Sequence, residues 1–200
     1  MLRVGITGGI GSGKSVVARI FETLGIPVYY SDAEAKQLMN TDATLRTNII
    51  AAFGPEAYNE AGLNRSWLAA QAFQQPEKTQ LLNSIVHPAV IAHGKQWLEQ
   101  QQTAYAIKEA ALFFESGSAT DIDFMIGVYA PQALRIQRVM QRDGLGRQEV
   151  LTRMSRQIEE TVKMKLCDAV IQNNEQEMLI PQVLQLHEQL LAMAEKNSTN

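Results

Sequence analysis

The run Gly8-Gly9-Ile10-Gly11-Ser12-Gly13-Lys14-Ser15 constrains this chain more than any other, because two glycines five positions apart precede Lys and then Ser. Its context is that of a phosphate-binding loop: Leu2-Arg3-Val4-Gly5-Ile6-Thr7 predicts a buried strand ahead of it, and residues 15–24 predict a helix behind it. A chain that wraps a polyphosphate must aim consecutive backbone N–H groups inward, and glycine adopts the required angles at least cost. The helix that follows adds unpaired N–H groups and the positive end of its dipole. Lys14 supplies a full positive charge. The Ser15 hydroxyl suits Mg²⁺, which prefers hard oxygen ligands beside phosphate oxygens and water. Gly8, Gly9, Gly11, Ser12, Gly13, Lys14, Ser15 and Val16 are therefore the expected nucleotide-phosphate-binding residues. A glycine-rich turn matching by chance would lack the flanking strand and helix.

At 200 residues and 46% hydrophobic, the chain can bury a sizeable core without staples, as one domain or as a core domain with an insertion. Its single cysteine, Cys167, stands in an apolar segment and is expected to be a packing residue, which suits a reducing compartment. No basic leader precedes the first strand, and no apolar run approaches the roughly 18 residues of a membrane span. A cytoplasmic protein without a membrane partner is expected. A net charge of −3 argues against bulk binding to nucleic acid, and no obligate protein partner is evident.

Beyond the first helix, residues 26–30 predict a second strand and residues 33–40 another helix, with Ser31 and Asp32 between them. Ligands of open α/β sheets bind outside the carboxyl ends of strands, so Asp32 is a candidate catalytic carboxylate. Ser31 and Asp32 are also good helix caps, and both readings stand. Residues 41–102 read as mostly helical, with breaks at 53–55, 60–62 and 76. That length exceeds a simple crossover and is expected to be a helical substrate-binding insertion between core segments 1–40 and 103–200. Within it, His87-Pro88 is expected to open a helix, with His87 either packing and capping or touching substrate. Residues 105–108, 123–129 and 169–172 predict further strands, and residues 178–194 a closing helix. The alternation implies a parallel sheet with helices on both faces. Asn173, just past the last strand, suits either a turn or the edge of an adenine site.

Arg135, Arg138, Arg142, Arg147, Arg153 and Arg156 are six of the ten arginines and fall within 22 positions. The first three recur at spacings of three and four and share a helical face. Arg135 and Arg156 are expected on a solvated face. Beside a phosphate loop, a mobile arginine lid at about residues 140–157 would neutralise charge during transfer, with Asp143-Gly144-Leu145-Gly146 as its hinge.

Together these blocks resemble the dephospho-CoA kinase family. The resemblance runs through residues 7–15, Ser31-Asp32-Ala33, His87-Pro88, Leu112-Phe113-Phe114-Glu115, the stretch 137–143, Gln157 and the stretch 168–173, in the family's order. It implies an α/β fold of the P-loop nucleotide-kinase kind, a three-layer sandwich with a five-stranded parallel sheet, a helical insertion and an arginine lid. It implies ATP and Mg²⁺ as cofactors and phosphorylation of the ribose 3′-hydroxyl of dephospho-CoA. Carried over by residue, Lys14 stabilises the transferring phosphoryl group, Ser15 holds Mg²⁺, Asp32 faces the acceptor hydroxyl, and Arg142 with Arg138 closes over the phosphates. Thr7, Asp32, His87 and Glu115 fall on the substrate side, and Asn173 on the ATP side. Where many members carry Asp-Val-Pro before the Leu-Leu-Phe-Glu block, this chain has Glu109-Ala110-Ala111, which leaves the role of Glu109 open. Another small-molecule kinase would differ in its acceptor residues. A GTP-binding switch would carry Asn-Lys-x-Asp and Asp-x-x-Gly motifs, which are absent here, and a non-catalytic ATP-binding protein would show no acceptor-dependent turnover.

Overall fold

Leu2–Thr7 forms β1, buried along its length except at Arg3, and a strand apolar on both faces belongs in the middle of a sheet covered by helices. The computed structural model describes residues 1–73 and 75–198. After β1 come α1 (Lys14–Thr23), β2 (Val28–Tyr30), α2 (Ser31–Thr41), α3 (Ala43–Phe53), the short strands β3 (Tyr58–Asn59) and β4 (Gly62–Leu63), α4 (Arg65–Phe73) and α5 (Pro76–Glu99). They are followed by β5 (Tyr105–Glu109), β6 (Phe124–Tyr129), α6 (Gln132–Asp143), α7 (Arg147–Met154), α8 (Glu160–Lys165), β7 (Ala169–Gln172) and α9 (Leu179–Ser198). The chain divides into two units, residues 1–30 with 98–200, and residues 31–97.

In the first unit, five strands pair in parallel in the order β2-β5-β1-β6-β7. β1 is central, flanked on one side by β5 and β2 and on the other by β6 and β7. The crevice outside its carboxyl end is where such sheets bind ligands, and the glycine loop starts there. Ile126 and Val128 join the main core with Val17, Phe21, Tyr105, Val183 and Leu190, so α1 and α9 cover that face. Gly127 must point the other way, since side chains alternate along a strand. A Cβ built on Gly127 would meet Met164 and Cys167, so α8 and the turn after it cover the opposite face. Three layers result: α1 with α9, the sheet, and α8. Arg3 binds Asp123 through its guanidinium at 2.6 and 3.0 Å and its N–H at 2.8 Å, which fixes the start of β1 beside β6 and holds the Asp123 carboxyl below its usual pKa.

The second unit is built on α2, α3, the β3–β4 hairpin, α4 and most of α5. Asp42 caps α3 by accepting from the Leu45 N–H at 2.9 Å. Tyr58 donates to the Met39 carbonyl at 2.6 Å, the Arg46 guanidinium lies 4.6 Å over its ring, and Asn40 accepts from the Leu63 N–H at 2.9 Å. These bonds tie α2 to the hairpin, so α2 belongs with this unit rather than with the core segment 1–40 of the sequence reading. Two local expectations need correction. α2 begins at Ser31, which puts Ser31 and Asp32 in its first turn rather than ahead of a helix at Ala33. His87 and Pro88 lie inside α5 instead of opening a helix. Buried Val86 and Val90 on either side show why: packing of the apolar face carries the helix through a residue that removes one backbone bond. Among the described residues no helix is long and apolar enough to cross a membrane.

Phe21 is fully buried, and its ring meets Tyr105 edge-on, with centroids 6.4 Å apart. Phe21→Ala is expected to cost about 3–5 kcal/mol, read as a lower midpoint in urea unfolding, because the α1–sheet interface cannot collapse around the loss.

Candidate active site

The loop is a wound backbone with little room beside it. Gly13 takes the left-handed region at φ 91° and leads directly into α1, and Gly11 does the same at φ 81°. Both positions therefore need glycine for their backbone angles. Gly8 is glycine for space, because a Cβ there would sit 2.5 Å from the Val128 carbonyl oxygen and from Ser12 Oγ. The loop closes on itself through the Ser12 N–H, which donates to the Gly9 carbonyl at 3.0 Å. No side chain caps α1; its Val16 and Val17 N–H groups return to the Gly13 carbonyl at 2.9 and 3.2 Å, which leaves the anion-facing role in the first turn to the N–H groups of Lys14 and Ser15. Thr7 Oγ1 and Ser12 Oγ are buried without a hydrogen-bond partner among the described residues. Buried hydroxyls in that condition fit a ligand rich in oxygen atoms.

Lys14 is mostly buried, and its Nζ lies 3.6 Å from the Glu109 carboxylate. Glu109 ends β5 in register with Ile6 of β1, so strand pairing brings an acid beside the loop lysine. At 3% exposure this acid is tolerable because the ammonium is near. Ser15 is exposed in the first turn of α1, as is Val16.

The arginine helix meets the loop differently from the sequence expectation. Arg135, expected in solvent, is buried, and its Nη1 lies 3.4 Å from Glu160 Oε2. Glu160 Oε1 accepts the Gly9 N–H at 3.3 Å, and Gln157 Oε1 accepts the Ile10 N–H at 2.9 Å. Arg135 lies under the loop because Gly9 has no Cβ to exclude it. Arg138 donates to Asn173 Oδ1 at 3.4 Å and to Glu175 at 3.2 Å, while its Nη1 is buried without a partner among the described residues. Asn173 in turn donates from Nδ2 to the Ser12 carbonyl at 2.7 Å, so it braces the end of the loop beside Gly13. Arg142 is exposed and binds Asp143 with two bonds of 2.7 and 3.0 Å; Arg153 reaches the same carboxylate at 3.5 Å. Arg156 is exposed, as expected.

Glu115 holds the segment that carries Gln157. Its Oε1 accepts from the Ile158 N–H and from Lys163 Nζ, both at 3.0 Å. Lys163 is fully buried and also donates to the Ala111 carbonyl at 2.8 Å. Cys167 donates to the Lys163 carbonyl, and burial followed by the Asp168 charge pushes its thiol up to about 12, the behaviour of a packing residue. In the second unit, Asp32 stands in the first turn of α2 and His87 in the middle of α5. Burial lowers the His87 pKa, and the Asp32 charge partly opposes that. Sequence reasoning missed Arg135, Glu160 and Lys163 as site-supporting residues. The signal was faint: a Gln and a Glu three apart after an arginine run look like any polar helix entry.

Glu115→Ala would leave the buried Lys163 ammonium without its counter-charge. The expected loss is about 3–5 kcal/mol, measured as a fall in unfolding free energy, with Lys163→Met in the same background restoring part of it.

The family model for dephospho-CoA kinase matches residues 2–178. A dephospho-CoA kinase of Bacteroides fragilis is 37% identical over 186 residues, covering 92% of this chain and 91% of that protein. One from Porphyromonas gingivalis is 38% identical, covering 94% of each. Among solved structures, a Thermus thermophilus protein superposes with a TM-score of 0.80 at 33% identity, covering 96% of this chain and 97% of that one. The dephospho-CoA kinase of Campylobacter jejuni gives 0.68 at 25% identity, covering 98% of both. With a glycine loop braced as described and a match along nearly its whole length, the chain belongs to the dephospho-CoA kinase family.

Proposed function

We propose that this chain transfers the γ-phosphoryl group of ATP to the ribose 3′-hydroxyl of dephospho-CoA, giving CoA and ADP. The observation that carries the reading is the glycine loop itself. Left-handed Gly13 opens an uncapped α1, Lys14 stands beside it, and two buried hydroxyls lack partners. A polyphosphate supplies the acceptors those groups need.

In the reaction, the acceptor oxygen bonds to the γ-phosphorus as the bond to the β–γ bridging oxygen breaks. Asp32 either takes the hydroxyl proton as base or orients the hydroxyl while the proton goes to an oxygen of the transferring phosphoryl group. Lys14 and the α1 N–H groups neutralise the charge that spreads over the transferring group. Arg142, exposed and paired with Asp143, is the arginine that reorients toward the phosphates; Arg138 contributes its second guanidinium nitrogen. Mg²⁺ fits the loop through the exposed Ser15 hydroxyl, since this ion takes most of its oxygens from phosphates and water. When bound, it would offset the negative charge of the phosphate oxygens. Thr7 and Ser12 hydroxyls complete the phosphate side, and Asn173 supports the nucleotide by bracing Ser12. His87 acts on the substrate side in the unit 31–97, which we take as the acceptor-binding unit. Glu115, in the unit formed by residues 1–30 and 98–200, serves the substrate side by holding residues 158–163 in place. We assign the reaction to the cytoplasm, in keeping with a lone, protonated Cys167.

ADP release with Mg-ATP is expected with dephospho-CoA and absent with AMP, shikimate or no acceptor; stimulation by another acceptor alone would reassign the substrate. Lys14→Ala should lower turnover by at least about 10²-fold; because it also removes the ammonium beside buried Glu109, it should lower the unfolding free energy, and adding Glu109→Gln should restore part of that stability without restoring turnover. Asp32→Asn should still bind ATP by calorimetry and turn over about 10²- to 10⁴-fold more slowly, and a retained rate would remove Asp32 from the proton transfer.

A further inference from the structure

Ile10 is joined to the arginine segment twice. Its N–H donates to Gln157 Oε1 at 2.9 Å, and its side chain packs against Ile136, Val139 and Val150, the small apolar cluster shared by α6 and α7. The neighbouring Gly9 N–H donates to Glu160 Oε1 at 3.3 Å. A carboxylate so close to a polyphosphate site would repel its ligand, but Arg135 lies 3.4 Å from it, and both side chains are only 9% exposed. The protein itself therefore uses two N–H groups in the first half of the loop. Anion binding falls to the second half, from Gly13 into α1.

Gln157 is aimed rather than free. It lies in the short connection between α7 and α8, where no helical ladder fixes it. Its own N–H donates to the Met154 carbonyl at 3.0 Å, and the next N–H, of Ile158, donates to Glu115 at 3.0 Å. With the backbone held on both sides, the side-chain amide has one place to go. Its bond spans 147 positions of sequence and connects the end of the arginine segment to the rim of the loop.

We propose that Gln157 is a positioning residue: by holding the Ile10 N–H it locks the first half of the loop to α6 and α7, so that Lys14 and the arginine segment keep one mutual geometry when ATP binds. The proposal rests on the kinase reading and acts through the loop, without contact to either substrate. Without this bond, water would satisfy the Ile10 N–H, and at Ile10 itself only apolar packing would couple loop to segment. The chemical step, which depends on alignment, then suffers more than binding does.

The experiment compares wild type with Gln157→Met, which has similar length and no acceptor oxygen, and Gln157→Glu, which keeps an acceptor oxygen and adds a charge. Three readouts are taken: hydrogen exchange of the Ile10 amide in nucleotide-free protein, Mg-ATP affinity by calorimetry, and acceptor-dependent ADP release separated into kcat and KM. The Ile10 amide should be protected in wild type and Gln157→Glu and exposed in Gln157→Met. In Gln157→Met, kcat should fall about tenfold while Mg-ATP affinity and both KM values stay within about twofold. Gln157→Glu should instead bind Mg-ATP more weakly, through its added charge. An unprotected Ile10 amide in wild type overturns the proposal, as does a Gln157→Met enzyme with an exposed Ile10 amide and undiminished kcat. Failure of Gln157→Met to fold would mark a structural role and overturn it too. If wild type shows no turnover with dephospho-CoA, the kinase reading fails, while exchange and ATP binding still judge the contact between Gln157 and the loop.

Discussion

A backbone wound tightly enough to present N–H groups to an anion cannot hold itself in place by helix or sheet bonding. In this protein the winding at Gly11 and Gly13 is held from outside by two arginines of α6, each working through an intermediary. Arg135 acts through Glu160 on Gly9, and Arg138 acts through Asn173 on Ser12. The spacing of three puts both on one face of the helix, where Arg135 serves the loop at Gly9 and Arg138 serves it at Ser12. A helix that looks like a source of phosphate ligands is thus also the scaffold of the phosphate loop.

Burial sets the electrostatic character of the region. Lys14 with Glu109, Arg135 with Glu160 and Lys163 with Glu115 are three pairs in which at least one member is almost wholly removed from water. Such pairs add little net stability over apolar residues of like size, yet each half is costly once its partner is gone. They fix where charges sit before any ligand arrives, which is the condition for electrostatic catalysis without reorganisation. The parallel sheet supplies the rigid base: Glu109 reaches Lys14 only because β5 pairs with β1 in the register that sets Glu109 beside Ile6.

Much of this was legible in the sequence because it is local. The glycine loop, the buried strands read as apolar runs, and the sheet implied by βα alternation all depend on neighbours a few positions apart. The burial of Arg135 was not legible, since it depends on an acid 25 positions further on and on the missing Cβ of Gly9. The place of His87-Pro88 was misread because proline is a good first helical residue, and only tertiary packing around Val86 and Val90 decides otherwise. α2 was drawn with the core for a similar reason. Its helical pattern is plain, but the partners that claim it, Tyr58 and Leu63, lie across a turn whose geometry the sequence does not declare.

The loop's glycines divide into two kinds, with a consequence for how such a chain drifts over generations. Gly13 is fixed by its own backbone angle, so no change elsewhere in the protein makes another residue comfortable there. Gly9 has no such angle; its place is filled by the Arg135 guanidinium and the Glu160 carboxylate. Positions 9, 135 and 160 therefore constrain one another. Trading the arginine for a shorter side chain alone still leaves the Glu160 carboxylate in the place of a methyl group at position 9, so both partners must change before the glycine can.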